Sequence, residues 1–168
     1  MKSVVLCGFM GSGKTTIGEL SARLLGMDYV DADQYIQEKA GMTINEMFER
    51  YGESYFRDRE HEAMKELSTR ANTIISSGGG ALTFQRNVDV IRAAASIVYI
   101  QADFSICYQR ISKDTGRPLV KANTRESLEE MYHRRDKLYS ACSDTVIFNN
   151  TTPEESAGAL CAWIRARS

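Results

Sequence analysis

Three observations on this chain predict a parallel α/β fold. Five short apolar runs (Ser3–Cys7, Tyr29–Val30, Thr73–Ser77, Ser96–Ile100 and Thr145–Phe148) alternate with longer stretches of helical periodicity, the rhythm of βαβ units. A glycine-rich turn, Gly8 to Thr15, follows the first run directly. The length of 168 residues suits a single compact domain, 1–168.

Each element has its own signal. The chain enters its first strand almost at once, so no signal or transit segment is expected before it. The first helix starts within the glycine-rich turn, and Gly26 is placed to end it. Residues 32–72 are too long for one crossover and hold several amphipathic helical turns, with Thr43 and Glu46 forming a capping box. Residues 112–124 are polar, with one Gly and one Pro, and read as a mobile loop over a site. Thr152 with Glu155 makes a second capping box, and Pro153 stands at the first helical position.

The bulk properties narrow the function classes. Hydrophobic residues make up 43% of the chain and charged ones 26%, as in an ordinary globule with a real core. A formal net charge of −1 and a pI near 6.2 argue against a nucleic-acid partner. No apolar run approaches the ~20 residues of a membrane span. Cys7, Cys107, Cys142 and Cys161 form no CxxC pair, so scattered reduced thiols and a cytoplasmic location are expected.

The strongest chemical signal is Gly8-Phe9-Met10-Gly11-Ser12-Gly13-Lys14-Thr15, which satisfies GxxxxGK(S/T) between a strand and a helix. Glycines such as Gly11 and Gly13, with Ser12 between them, let backbone N–H groups curl round phosphate oxygens at a helix N-terminus. Lys14 supplies charge to the β and γ phosphates, and the Thr15 hydroxyl is a hard ligand for Mg²⁺, with Thr16 next along the same helix. ATP and Mg²⁺ are the cofactors this implies. Cys7 beside the motif reads as a small buried residue ending a strand.

Asp31 and Asp33 fall at the end of the second strand, where open α/β sheets gather ligands. If strand geometry persists through Ala32, the two carboxylates face one crevice. One then holds the metal's water shell, and the other accepts a hydrogen bond from a nucleophilic hydroxyl. The alternative for Asp33 is a helix cap. Arg57 and Glu60 have the spacing at which a carboxylate braces a guanidinium, either to grip an anionic acceptor or as a plain surface pair. His61 beside them reads as a surface residue. Ser76-Ser77-Gly78-Gly79-Gly80 follows the third strand, where three glycines imply close approach by a ligand or unusual dihedrals. Ser76 is placed to hold a metal-bound water.

Together these pieces resemble the shikimate kinase family over nearly the whole chain. The family's local signature reads here Arg57-Asp58-Arg59-Glu60, Met64, then Ile74-Ile75-Ser76-Ser77-Gly78-Gly79-Gly80 and Leu82. The resemblance implies a three-layer α/β/α P-loop kinase with a five-stranded parallel sheet, a helical substrate-binding region at 32–72 and a lid at 112–124. It implies transfer of the ATP γ-phosphoryl to the 3-hydroxyl of shikimate, an anionic small molecule, by a monomer. By the same resemblance Asp33 binds the acceptor hydroxyls, and Arg57 and Arg135 hold its carboxylate, with Arg134 the alternative to Arg135. Gly79 and Gly80 offer backbone contacts, Arg117 is the lid arginine, and Arg110 and Pro153 mark the adenine edge. Thr151 stands where the family often has an arginine, which leaves the purine contacts open. The rival readings are a kinase for gluconate or a nucleoside monophosphate, and a non-catalytic ATP-binding module. The glycine triplet speaks against the first, and intact Lys14, Asp33 and Arg117 against the second.

Overall fold

In a computed structural model, which describes residues 1–113 and 123–168, the strands are β1 (Val4–Cys7), β2 (Asp28–Asp31), β3 (Thr73–Ser76), β4 (Ser96–Gln101) and β5 (Thr145–Phe148). They form one sheet in the order β2-β3-β1-β4-β5, every neighbouring pair parallel. The helices are α1 (Lys14–Leu25), α2 (Ala32–Ala40), α3 (Ile44–Tyr51), α4 (Glu53–Ser68), α5 (Gln85–Ala94), α6 (Phe104–Ser112), α7 (Arg125–Cys142) and α8 (Pro153–Arg165). No described helix is long and apolar enough to cross a membrane.

The period-2 geometry of a strand sorts its side chains into two layers. Val4, Leu6, Ile74, Val98 and Ile100 point to one face and pack with Ile17 of α1 and Leu160 and Ile164 of α8. Val5, Cys7, Ile75, Ile97 and Tyr99 point to the other and pack with Met64 and Leu67 of α4, Ile91 of α5 and Tyr139 of α7. Strands buried on both faces read as unbroken apolar runs, which is why these segments show no alternation. The expected three layers are present. All four cysteines are buried and unpaired, and burial pushes the Cys7 thiol up, as befits an inert core residue.

The caps lie where expected. Thr43 and Thr152 each accept a hydrogen bond from the backbone N–H three residues on, at 3.1 and 3.3 Å. Gly26 ends α1 in the left-handed conformation. The long stretch after β2 resolves into α2, α3 and α4, held by their own apolar cluster of Ile36, Met47, Phe56 and Ala63. Of the loop expected at 112–124, residues 114–122 lie outside the described residues; Ser112 ends α6, and the Thr124 side chain caps α7.

Candidate active site

Parallel strands bring their C-terminal ends to one edge of the sheet. There the turn after β1, the end of β2 and the glycine triplet after β3 line a cleft of ≈ 420 Å³. Its walls include Gly11, Gly13, Lys14, Thr15, Thr16, Asp31, Asp33, Ser76, Gly78, Gly79 and Arg110.

The phosphate cradle owes its shape to its glycines. Gly11 and Gly13 sit at φ +78° and +99°, where an L side chain is strained. Contacts fix them further: a Cβ on Gly13 would stand 2.4 Å from Asn149 Nδ2. Lys14 Nζ donates to the carbonyls of Gly8 (2.7 Å) and Phe9 (3.2 Å), across the mouth of the turn. Arg110 Nη1 donates to the Gly11 carbonyl at 3.0 Å, so this expected adenine-edge residue also braces the cradle. Ser12 is buried, and its hydroxyl has no hydrogen-bond partner among the described residues. Pro153 opens α8 and is not among the cleft's lining residues.

The acidic pair departs from the extended geometry expected through Ala32. The strand ends at Asp31, and the helix begins at Ala32. Asp31, not Asp33, is the cap, accepting from Gln34 N at 3.0 Å. Asp33 rides on the first turn of α2, which still turns both carboxylates into the cleft. Burial pushes the Asp33 carboxyl above its ordinary range, the Asp31 charge adds to the rise, and Lys14 and Arg57 oppose it.

Each glycine of the triplet makes room for one of the side chains expected at the site. A Cβ on Gly78 would lie 2.6 Å from Asp33 Oδ1, one on Gly79 3.2 Å from Arg135 Nη1, and one on Gly80 2.9 Å from both terminal nitrogens of Arg57. None of the three has a left-handed φ, so space, not unusual dihedrals, explains the glycines. The triplet is braced by Tyr139 OH donating to the Gly79 carbonyl and by Asn87 Nδ2 donating to the Ala81 carbonyl at 2.9 Å. Arg135 is half-buried, one turn before Tyr139 on α7, while Arg134 is exposed.

Arg57 Nη1 donates to Glu60 Oε1 at 2.8 Å, and Glu60 is only 2% exposed. Burial raises the Glu60 carboxyl while the Arg57 guanidinium pulls it down. Among the described residues Arg57 Nη2 makes no hydrogen bond, leaving part of the fork for a ligand. The surface-pair reading of Arg57 does not fit so buried a partner. His61 is not a loose surface group either: its Nδ1 lies 2.8 Å from Asn87 Oδ1. Ser76 lines the cleft but directs its hydroxyl to the Lys14 carbonyl at 3.3 Å, tying β3 to α1. Arg117 lies outside the described residues.

The donor set suits magnesium. The Thr15 hydroxyl and the Asp31 carboxylate are hard oxygens of residues that line the cleft. No group of three His, Cys, Asp or Glu side chains exists among the described residues to cage a metal. Magnesium is commonly held this way, by few protein ligands with waters and phosphate oxygens completing the shell.

Two supports gave no signal in the sequence. Asn149, buried after β5, donates from Nδ2 to the Ser12 carbonyl at 2.8 Å, while its Oδ1 lies 2.9 Å from Ser156 Oγ. Asp136, within a charged helical run, accepts from Tyr99 OH at 2.6 Å and Gln101 Nε2 at 2.9 Å, fixing α7 to the end of β4 beside Arg135. Both partnerships join segments that only the folded topology brings together.

Residues 10–165 match the family model described as shikimate kinase. A shikimate kinase from Geobacter sulfurreducens is 42% identical over 165 residues, covering 98% of this chain and 91% of the relative. One from Thermodesulfovibrio yellowstonii is 37% identical over 158 residues, covering 94% and 91%. Among solved structures, shikimate kinase from Acinetobacter baumannii in complex with shikimate is similar over all of this chain and 95% of its own, at TM-score 0.91 and 32% identity. The Aquifex aeolicus enzyme is similar at TM-score 0.82 and 30% identity, with 98% and 97% covered.

Proposed function

The chain belongs to the shikimate kinase family, and from that premise we propose how its residues divide the work of moving the ATP γ-phosphoryl to the 3-hydroxyl of shikimate. The observation that carries the reading is the glycine triplet, which gathers one carboxylate and two guanidinium groups beside the Lys14 cradle. That is the complement of an acceptor with hydroxyls at one end and a carboxylate at the other.

Arg57 and Arg135 grip the acceptor's carboxylate, Arg57 through a fork pre-set by Glu60. Gly79 and Gly80 let the ring approach the backbone. Asp33 accepts a hydrogen bond from the 3-hydroxyl, and its raised pKa suits it to take the proton as the oxygen attacks phosphorus. The bond from the γ-phosphorus to the β–γ bridging oxygen breaks, and ADP departs. Lys14, the cradle amides of Gly11 to Thr16 and Arg117 stabilise charge spreading over the transferred oxygens. Magnesium, when bound, would supply positive charge against the phosphate oxygens. Thr15 would hold it directly, and Asp31 and Ser76 through water. Arg110 and Pro153 flank the purine.

The chain acts as one kinase domain, 1–168, with 32–72 as the acceptor region and 112–124 as a lid that excludes water. A cytoplasmic monomer with a small-molecule partner and no nucleic acid completes the reading, in keeping with the near-neutral charge.

A coupled ADP-release assay with Mg·ATP tests this directly by comparing shikimate, gluconate and nucleoside monophosphates. Turnover confined to shikimate is expected, and Asp33→Asn should cut kcat on the order of 10²- to 10⁴-fold while ATP still binds. Full activity in that variant would remove Asp33 from the mechanism.

A further inference from the structure

Phe84, next after the short helical turn Ala81–Thr83 that follows the glycine triplet, breaks a local rule. Phe84 occupies the N-cap position of α5, at φ −101° and ψ 120°, and its side chain makes no capping hydrogen bond. That position favours Ser, Thr, Asp or Asn, whose oxygen satisfies an orphan N–H of the first turn. Asp31, Thr43, Thr124 and Thr152 cap their helices in this way, and at the helices without a side-chain cap bond the position holds Gly13, Gly52 or Asp103, so Phe84 is the large apolar residue among the described N-caps. A phenylalanine here gives up that hydrogen bond and stays only half-buried, so core packing accounts poorly for it. Local rules broken without local gain point to a function.

The ring's neighbour supplies one. The guanidinium carbon of Arg57 lies 4.8 Å from the centroid of Phe84 and 5.1 Å from that of Phe56. Phe56 belongs to the same helix as Arg57 and is buried in the α2–α4 cluster. Phe84 comes from a separate segment, just after the short helical turn Ala81–Thr83 that follows the glycine triplet. With Glu60 Oε1 accepting from Nη1 at 2.8 Å and Glu53 Oε1 from Nε at 3.4 Å, the guanidinium has two carboxylates at its edge and two aromatic rings in cation–π range. An arginine so held loses less rotamer freedom when it meets a carboxylate.

We infer that Phe84 is a positioning residue of this kinase, whose ring holds the Arg57 guanidinium in the orientation that grips the acceptor's carboxylate. The inference rests on the reading above that Arg57 binds that group. Phe84 is not among the residues that line the cleft at the phosphate cradle. Its influence therefore falls on acceptor affinity and leaves the phosphoryl-transfer step alone.

Four variants test it in the full chain, with KM for shikimate, KM for ATP, kcat and melting temperature measured for each. Phe84→Leu keeps the apolar bulk and removes the π face; it should raise the shikimate KM about three- to tenfold, the span of a cation–π contact, with kcat and ATP KM at wild-type values. Phe84→Ser should raise the shikimate KM likewise while its regained helix cap holds melting at or above that of Phe84→Leu. Phe84→Tyr, which keeps the ring, should restore wild-type affinity. Arg57→Ala is the control and should raise the shikimate KM more than any of them. If Arg57→Ala raises that KM and Phe84→Leu does not, the inference is wrong and the role of Arg57 stands. If Arg57→Ala leaves it unchanged, both are wrong. A Phe84→Tyr variant as impaired as Phe84→Leu, or a joint loss of kcat and ATP affinity, would mean that Phe84 only supports the fold.

Discussion

Adding one methyl group at a time to the glycine triplet should separate the two halves of acceptor recognition. Ordinary van der Waals contact begins near 3.4 Å, so a Cβ on Gly78 would overlap Asp33 Oδ1, at 2.6 Å, by about 0.8 Å. On Gly80 the overlap with both Arg57 nitrogens, at 2.9 Å, is about 0.5 Å, and on Gly79 the overlap with Arg135 Nη1, at 3.2 Å, is about 0.2 Å. None of the three backbones is left-handed, so alanine is conformationally admissible and the fold should survive. A displacement approaching 1 Å at a reacting group costs about 10²-fold, so Gly78→Ala should lower kcat by that order with little change in shikimate KM. Gly80→Ala must push a guanidinium already pinned by Glu60, and one weakened charged hydrogen bond is worth about 1.5–3 kcal/mol. Its shikimate KM should rise about tenfold or more, with kcat largely kept. Gly79→Ala should raise KM only about two- to threefold. The assay is coupled ADP release at saturating Mg·ATP with shikimate varied, with a thermal melt to verify folding. Equal effects at all three positions, or a Gly78→Ala variant that alters only KM, would refute the assignment of one functional side chain to each glycine.

Three further outcomes are expected. Asn149→Ala leaves the Ser12 carbonyl without its partner; it should cost about 1–3 kcal/mol of stability and raise ATP KM with shikimate KM unchanged, as steady-state kinetics and denaturant titration would show. Asp31→Asn removes a charge that raises the Asp33 pKa while keeping a capping side chain, so the acid limb of the kcat–pH profile should move to lower pH; a limb that stays or rises would remove Asp31 as its cause. Asp33 titrates above its ordinary value of 3.8 in the fold, so its contribution to stability is complete below that value and lost as pH rises through the folded pKa. Asp33→Asn should therefore gain stability relative to wild type from pH ~4 upward, and a melting-temperature difference independent of pH would contradict this.

The sequence was a good guide where structure is set by near neighbours. The strands end within one residue of the apolar runs that mark them; in β1, β3 and β4 the run is apolar because both faces are buried. The capping residues Thr43 and Thr152 and the terminator Gly26 act within one turn, and their chemistry is visible in a window of four residues. Asp31 and Asp33 show where that window fails. Strand and helix both satisfied the local pattern around Ala32, and the helix prevailed because the Asp31 side chain caps it. Ser76 lines the cleft as expected, and only the fold shows that its hydroxyl also donates to the Lys14 carbonyl at the start of α1.

By itself, then, the sequence determined the phosphate cradle, since Gly11, Gly13, Lys14 and Thr15 act through φ angles and hydrogen bonds inside one continuous turn. It also determined the layered α/β class, which follows from apolar periodicity. Tertiary structure alone decided which distant groups meet: Gly80 against Arg57, Gly78 against Asp33, Phe84 against Arg57, and Asn149 against Ser12, 137 residues away. The reason is physical. Burial fixes which face of a strand or helix is apolar, but many strand orders and helix placements satisfy burial equally well. The spacing of side chains at the sheet's edge exists only once one of them has been taken.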